Sequence, residues 1–175
     1  MMHGMTILYR RTGEQRYLEM AKRFEQDLAD DGDWLEKGAA GVPYYQLPGM
    51  GLRWESLHIV QSFVDMFRIT GEKKYRDAAI NLWESIRDFD RHPSGAFSTS
   101  EGAIGTIYTK GAIETCCTVA WMALSVDILR LTGDPKVADE LECSLWNQCL
   151  GAQHPSGNWC TYDTPLNGVR APSYH

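Results

Sequence analysis

The sequence repeats at intervals of about sixty residues, and this repetition limits the possible folds more than any other feature. A short motif of threonine, glycine and an acid occurs three times, within Arg11–Glu14, Arg68–Glu72 and Arg130–Asp134. Its glycines are 58 residues (71 − 13) and then 62 residues (133 − 71) apart. The segment His92–Gly95 recurs as His154–Gly157, again 62 residues away (154 − 92). Because two independent motifs share one spacing, we predict a repeat architecture.

Each threonine-glycine-acid motif predicts a turn between two helices. Glycine permits the left-handed backbone that ends a helix, and the following acid suits the positive end of the next one. Pro135 fits the first turn of such a helix. The segments after the motifs carry one apolar stripe, for example Tyr75, Ala78, Leu82 and Ile86, whereas those before them are apolar on most sides. Each repeat is therefore predicted to pair an inner helix with an outer one.

Long loops rich in glycine and proline separate these hairpins, at about 30–53, 92–111 and 151–175. A tetratricopeptide unit of about 34 residues with short connections fits this spacing poorly, and an (α/α) toroid fits it better. We predict an all-α fold, one helical domain over residues 1–175 with turns near 13, 71 and 133, forming about three hairpins of a six-hairpin (α/α)6 barrel. Such a half ring exposes inner-helix surface, which predicts either a missing C-terminal part or self-association.

Charge and composition exclude several functional classes. The net charge of −6, without a basic face, argues against nucleic acid. The apolar stretch 112–131 is interrupted by Glu114 and Asp127, which disfavours a membrane span. The first ten residues lack a signal-peptide pattern, and the five cysteines form no disulfide framework. We expect a cytoplasmic protein, with the periplasm or secretion as the alternative.

Two acidic segments are candidates for chemistry. Glu114 and Cys116, at the start of the third inner helix, are close enough in sequence to reach one metal ion, and zinc accepts such mixed ligands. The alternative is a helix-start glutamate beside small buried cysteines. Glu101, in a glycine-rich loop, is a candidate general acid if burial raises its pKa, and otherwise a solvated carboxylate.

Aromatic residues and the repeated His-Pro-Ser-Gly segment complete the candidates. Trp54, Trp159 and Tyr162 lie in or beside loops, where they are candidates for stacking on a sugar ring, although helix packing uses such residues equally well. The repetition of His-Pro-Ser-Gly at equivalent positions predicts a structural turn in which histidine and serine bond local backbone.

Several of these segments together resemble the bacterial glycoside hydrolase family 127, the β-L-arabinofuranosidases and their relatives. The sharpest match is Glu114-Thr115-Cys116 before an apolar helix and the turn Leu131–Asp134. The stretches 155–166, 3–5 and 11–14 are also similar to that family. The resemblance implies an (α/α)6 barrel followed by β-sandwich domains, and an activity on arabinofuranoside-type plant or bacterial glycans.

The resemblance also implies a mechanism. A zinc ion holds a nucleophilic cysteine as thiolate, and a glutamate acts as acid and base. Glu114 and Cys116 would be the first two zinc ligands, and Glu101 the acid/base. The remaining ligands, including the nucleophile, form a cysteine pair in a region expected after His175. The family's His-x-Asn corresponds to residues 52–54, which contain neither residue, and the loop 101–114 is shorter than the family's.

The leading interpretation is therefore a fragment of a zinc- and cysteine-dependent glycosidase, with a carbohydrate substrate and without its nucleophile. A second interpretation is a non-catalytic helical scaffold that binds protein or polysaccharide through its loops. A third is another sugar enzyme on the same toroid, such as an epimerase or an unsaturated glucuronyl hydrolase. That third class needs catalytic histidine or aspartate on inner helices, and we interpret His58 as a packed or capping residue.

Overall fold

Three helical hairpins form most of the computed structural model, which describes residues 1–48, 53–98, 102–108 and 111–172. The hairpins are α1 (Met2–Thr12) with α2 (Gln15–Asp30), α4 (Arg53–Thr70) with α5 (Lys73–Phe89), and α6 (Thr115–Thr132) with α7 (Pro135–Ser144). The short α3 (Trp34–Ala39) lies between the first two hairpins. The predicted all-α class is confirmed.

The threonine-glycine-acid turns close by local hydrogen bonds. Gly13, Gly71 and Gly133 all have left-handed backbones, with φ of 72°, 74° and 68°. In the third turn the Thr132 hydroxyl donates to the Ile128 carbonyl (2.8 Å) and accepts the Asp134 N–H (3.1 Å). The same two bonds occur in the other turns, through Thr12 and Thr70. Each motif residue thus has a specific local task in ending one helix and starting the next.

The segments predicted as loops contain short ordered elements. A 3-10 turn spans Tyr44–Gln46, and α7 continues into a π-helical turn at Leu145–Cys149. Three two-residue strands, β1 (Phe97–Ser98), β2 (Ile113–Glu114) and β3 (Asp163–Thr164), form an antiparallel sheet in the order β1-β2-β3. Because β2 leads directly into α6, this sheet fixes the start of that helix.

Helices α1, α4 and α6 form an inner layer in which α4 packs against the other two. Arg10 of α1 pairs with Asp65 of α4, and Arg68 of α4 pairs with Asp127 of α6 at 2.9 Å. Helix α6 therefore lies on α4 in the same way that α4 lies on α1. The His3–His58 ring contact, 5.5 Å between centroids, shows that α1 and α4 run in the same direction. The N-terminal ends of the inner helices consequently lie at one end of the layer.

The pairs at Asp65 belong to a larger polar network inside this layer. The Asp65 side chain is only 3% exposed, and its carboxylate accepts hydrogen bonds from Thr6 (3.0 Å), Arg10 and Arg68 (3.3 Å). The Gln61 amide donates to Asp127 (3.1 Å) and bonds the His58 ring (2.7 Å). A buried carboxylate is tolerated when it is paired and hydrogen-bonded, as Asp65 is here.

An aromatic stack joins the second and third hairpins. The Trp83 and Trp121 rings are parallel within 6°, with centroids 5.2 Å apart, and Phe97 of β1 meets Trp121 edge-on at 5.8 Å. The Trp83 indole N–H donates to the Ser125 hydroxyl (2.9 Å). The stack therefore links α5, α6 and the small sheet through one cluster of the core.

Apolar side chains remain exposed on the two flanking helices of the inner layer. Ile7 and Leu8 lie exposed on α1, and Val119 and Val126 on α6. Within the described residues only α6 is long and apolar enough to cross a membrane, judged by length and composition. We interpret this composition as that of an inner helix, since its buried face carries Trp121 and Leu124 into the core and it pairs with α7.

Candidate active site and metal centre

The small sheet positions Glu114, which ends β2 and precedes the first residue of α6. Glu114 lies opposite Phe97 on one side and Asp163 on the other. The next residue, Thr115, donates its N–H (3.0 Å) and its hydroxyl (2.9 Å) to the Tyr162 carbonyl. These bonds bring Tyr162 beside Glu114 although the two residues are distant in sequence.

The Glu114 carboxylate contacts two thiols and a phenol. Its Oε1 is 3.1 Å from the Cys116 Sγ, its Oε2 is 3.6 Å from the Cys117 Sγ, and the Tyr162 hydroxyl donates to Oε1 at 3.1 Å. The carboxylate makes no capping bond to the backbone of α6. By contrast, Asp134 caps α7 by accepting the Lys136 N–H. The helix-start interpretation of Glu114 therefore does not account for where its side chain points.

The surroundings of the two thiols disfavour their ionisation. Burial raises the pKa of Cys116 and of Cys117, and the adjacent Glu114 charge adds to both increases. The hydrogen bond with Cys116, together with burial, raises the pKa of Tyr162. Without a cation the thiols are neutral at pH 7, so a metal ion that binds here must displace protons, and its affinity must rise with pH.

The donor set of this cluster fits a zinc ion. The ligand atoms of Glu114, Cys116 and Cys117 all lie within 4.8 Å of one another. Thiolate sulfur with a carboxylate oxygen is a combination that zinc accepts, and that magnesium or calcium does not prefer. The predicted ligands Glu114 and Cys116 are thus together, and Cys117, which we had interpreted as packing, lies with them.

Trp54 lies at the same end of the inner layer, beside a cavity of about 280 Å³. Its indole is 37% exposed and meets the His58 ring edge-on, with centroids 4.6 Å apart. His3 forms another wall, and burial lowers the pKa of its imidazole. We had not identified His3 from the sequence, because it lies ten residues before Gly13 (13 − 3) whereas His58 lies thirteen before Gly71 (71 − 58).

The other predicted residues lie elsewhere. Trp159 stacks on His154, with centroids 4.4 Å apart, in the turn of the second His-Pro-Ser-Gly segment. Glu101, the predicted acid, lies outside the described residues. In both His-Pro-Ser-Gly segments the histidine Nδ1 accepts the serine N–H at 3.2 Å, which confirms the predicted turn role.

Comparisons with known proteins agree on one family. The family model described as "Beta-L-arabinofuranosidase, GH127 catalytic domain" matches residues 1–175. Among solved structures, a GH127 β-arabinofuranosidase superposes with a TM-score of 0.74 at 22% identity, covering 97% of this chain and 28% of that one. A GH127 β-L-arabinofuranosidase from Geobacillus stearothermophilus T6 gives a TM-score of 0.71 at 22% identity, covering 93% and 30%.

A third structure, titled glycoside hydrolase, gives a TM-score of 0.71 at 21% identity and covers 99% of this chain and 32% of its own. No curated protein matches. This chain thus spans about a third or less of the length of these structures. They are (α/α) toroids, so the predicted toroid class is confirmed.

Proposed function

Because this chain belongs to the GH127 family of β-L-arabinofuranosidase catalytic domains, we propose that it supplies metal-binding and sugar-binding residues to an enzyme that cleaves arabinofuranosides of plant or bacterial glycans. The observation that carries this proposal is the contact of Glu114 with Cys116 and Tyr162 at the N-terminal end of α6. The proposal rests on the family and on the donor atoms gathered there.

Glu114 and Cys116 would hold the zinc ion. When bound, zinc would supply the positive charge that keeps coordinating thiols ionised at neutral pH. Tyr162 orients Glu114 by donating to Oε1, as outer hydrogen bonds commonly orient metal ligands. The remaining ligands, including the nucleophilic cysteine, are proposed to come from outside this chain. Glu101, in the loop joining β1 to β2, is proposed to protonate the leaving glycosidic oxygen.

Trp54 is proposed to bind one face of the sugar. Its exposed indole borders the cavity, where His3, Glu55 and His58 offer hydrogen-bonding groups. A flat aromatic wall with a few polar groups is typical of small-ligand sites. Trp159 and Tyr162, also proposed as sugar contacts, are engaged by His154 and Glu114, so Trp54 is the aromatic residue best placed for this role.

Replacing Trp54 with alanine is expected to raise the KM for a p-nitrophenyl β-L-arabinofuranoside about tenfold, with a smaller change in kcat, because a large contact surface is lost at about 1–2 kcal/mol. The matched control is Trp146→Ala, whose indole is exposed on the π-helical turn. Equal KM values for the two variants would exclude Trp54 from the sugar site.

Replacing Cys116 with alanine is expected to remove the zinc and to lower kcat/KM for the same substrate by more than about 100-fold, because loss of a ligand exceeds the 10–100-fold effect of an outer-shell partner. The measurement is elemental analysis together with hydrolysis by the protein that contains this chain. Cys143→Ala is the control, since that thiol contacts the Pro93 carbonyl on α7. Full activity in the Cys116 variant, or no hydrolysis by the wild type, would contradict the proposal.

The exposed apolar side chains of α1 and α6 are proposed to be covered in the active protein. Further hairpins after α6 would complete a six-hairpin ring, and association of two copies is the alternative. The non-catalytic scaffold would use the same surfaces to bind a partner. Hydrolysis that depends on Cys116 separates the enzyme from the scaffold.

A further inference from the structure

We propose that Cys117 is a third metal ligand, so that Glu114, Cys116 and Cys117 together form a metal site within one helical turn. This inference rests on the proposed metal site and concerns which residue adds to it. It assigns a ligand role to a residue next to, and outside, the Glu-x-Cys motif. Three ligands from four consecutive residues would leave one coordination position open to water, substrate or a further cysteine.

The distance between the two sulfur atoms supports this assignment. Sulfur ligands about 2.3 Å from a tetrahedral zinc ion lie about 3.8 Å from each other, from the tetrahedral angle. The Cys116 and Cys117 Sγ atoms are 3.8 Å apart. A carboxylate oxygen and a sulfur on the same ion would be about 3.5 Å apart. The corresponding distances here are 3.1 Å to Cys116 and 3.6 Å to Cys117.

The orientation of the side chains also supports it. Consecutive residues of a helix point about 100° apart, so neighbouring thiols do not ordinarily converge. Here the Glu114 carboxylate lies between them, with Oε1 toward Cys116 and Oε2 toward Cys117. Cys117 is only 2% exposed, yet its Sγ contacts this carboxylate as well as the apolar core.

Charge and helix position favour the same site. A divalent ion with one carboxylate and two thiolates carries a net charge of −1. The complex would lie at the first turn of α6, where unpaired backbone N–H groups give the helix end a partial positive charge. A negative complex is stabilised there, whereas a site with one thiolate and one carboxylate would be neutral and gain less.

The test is titration of this chain with cobalt(II) alone, in a reducing buffer, followed by the thiolate-to-cobalt absorption band. We expect one cobalt per chain, with a band of about half the intensity in Cys117→Ser and an affinity lower by about 100-fold or more. Cys143→Ser, which keeps all three ligands, is expected to match the wild type. Competition with zinc should abolish the band in both.

X-ray absorption of the zinc-loaded wild type provides a readout that needs no variant. Two sulfur neighbours per zinc support the inference, and one sulfur neighbour overturns it. An unchanged cobalt band in Cys117→Ser overturns it while leaving Glu114 and Cys116 as ligands. A wild-type chain that binds no cobalt overturns it too, because three ligands should suffice, and the hydrolysis assay on Cys116 then decides the proposed function separately.

Discussion

Replacing Gly95 with alanine is expected to lower the free energy of unfolding by about 2–5 kcal/mol, combining left-handed strain with overpacking. Gly95 has a φ of +87°, a conformation that costs alanine about 1–2 kcal/mol. An added Cβ would also lie 2.7 Å from the Ser144 nitrogen and 2.8 Å from its Cα. Since the Ser144 hydroxyl donates to the Gly95 carbonyl at 2.6 Å, moving apart would also break a buried hydrogen bond.

The repeat supplies a matched control for this prediction. Gly157 occupies the same place in the second His-Pro-Ser-Gly segment, with a φ of +74° and nothing within 4 Å of an added Cβ. Gly157→Ala should therefore cost only the conformational part, about 1–2 kcal/mol. Urea unfolding followed by circular dichroism measures both variants. Equal losses would mean that the approach to Ser144 carries no energetic weight.

Replacing Trp121 with alanine is expected to destabilise the protein by roughly 3–5 kcal/mol, as is usual when a buried tryptophan is removed from a core. Trp121 is fully buried between Trp83 and Phe97, which belong to α5 and β1. The loss is large beside a typical total stability of about 5–15 kcal/mol. Denaturant unfolding measures it directly.

Trp146→Ala is the control for Trp121, because it removes the same side chain from a site that is 60% exposed. Surface substitutions of this kind change stability by about 0.5 kcal/mol or less. If the two variants unfold at similar denaturant concentrations, the stack is not the main packing contact between the second and third hairpins.

The hairpin turns could be predicted because every bond that closes them is local. At Gly133 the bonds join Ile128, Thr132, Asp134 and Lys136, so the motif itself contains the information. The inner and outer helices follow from apolar patterns of the same short range. Prediction was accurate where sequence neighbours are also spatial neighbours.

The small sheet and the full metal cluster could not be predicted in this way. Ile113 and Glu114 pair with residues about fifty positions later, and two-residue strands have no periodicity to detect. Tyr162 was expected to stack on sugar, and its bond to Glu114 depends on that distant pairing. Cys117 was missed because adjacent helical side chains usually diverge, and only the coordinates place its thiol beside the carboxylate.

The ion pairs between the inner helices give the repeat a direction. Arg10, Arg68 and Arg130 each lie three residues before their turn glycine, and the residues six before it are Ile7, Asp65 and Asp127. Each hairpin therefore offers its arginine to the aspartate of the next one, as Arg10 does to Asp65 and Arg68 to Asp127.

Exposed Arg130 continues this order on the open face of α6, whereas the opposite face of α1 offers isoleucine. A second copy joined head to tail would set Arg130 against Ile7 and gain no ion pair. A helix with an acid at that level would be matched in charge. The arginine-aspartate pairs thus act as an address that distinguishes the proper next hairpin from a copy of the first.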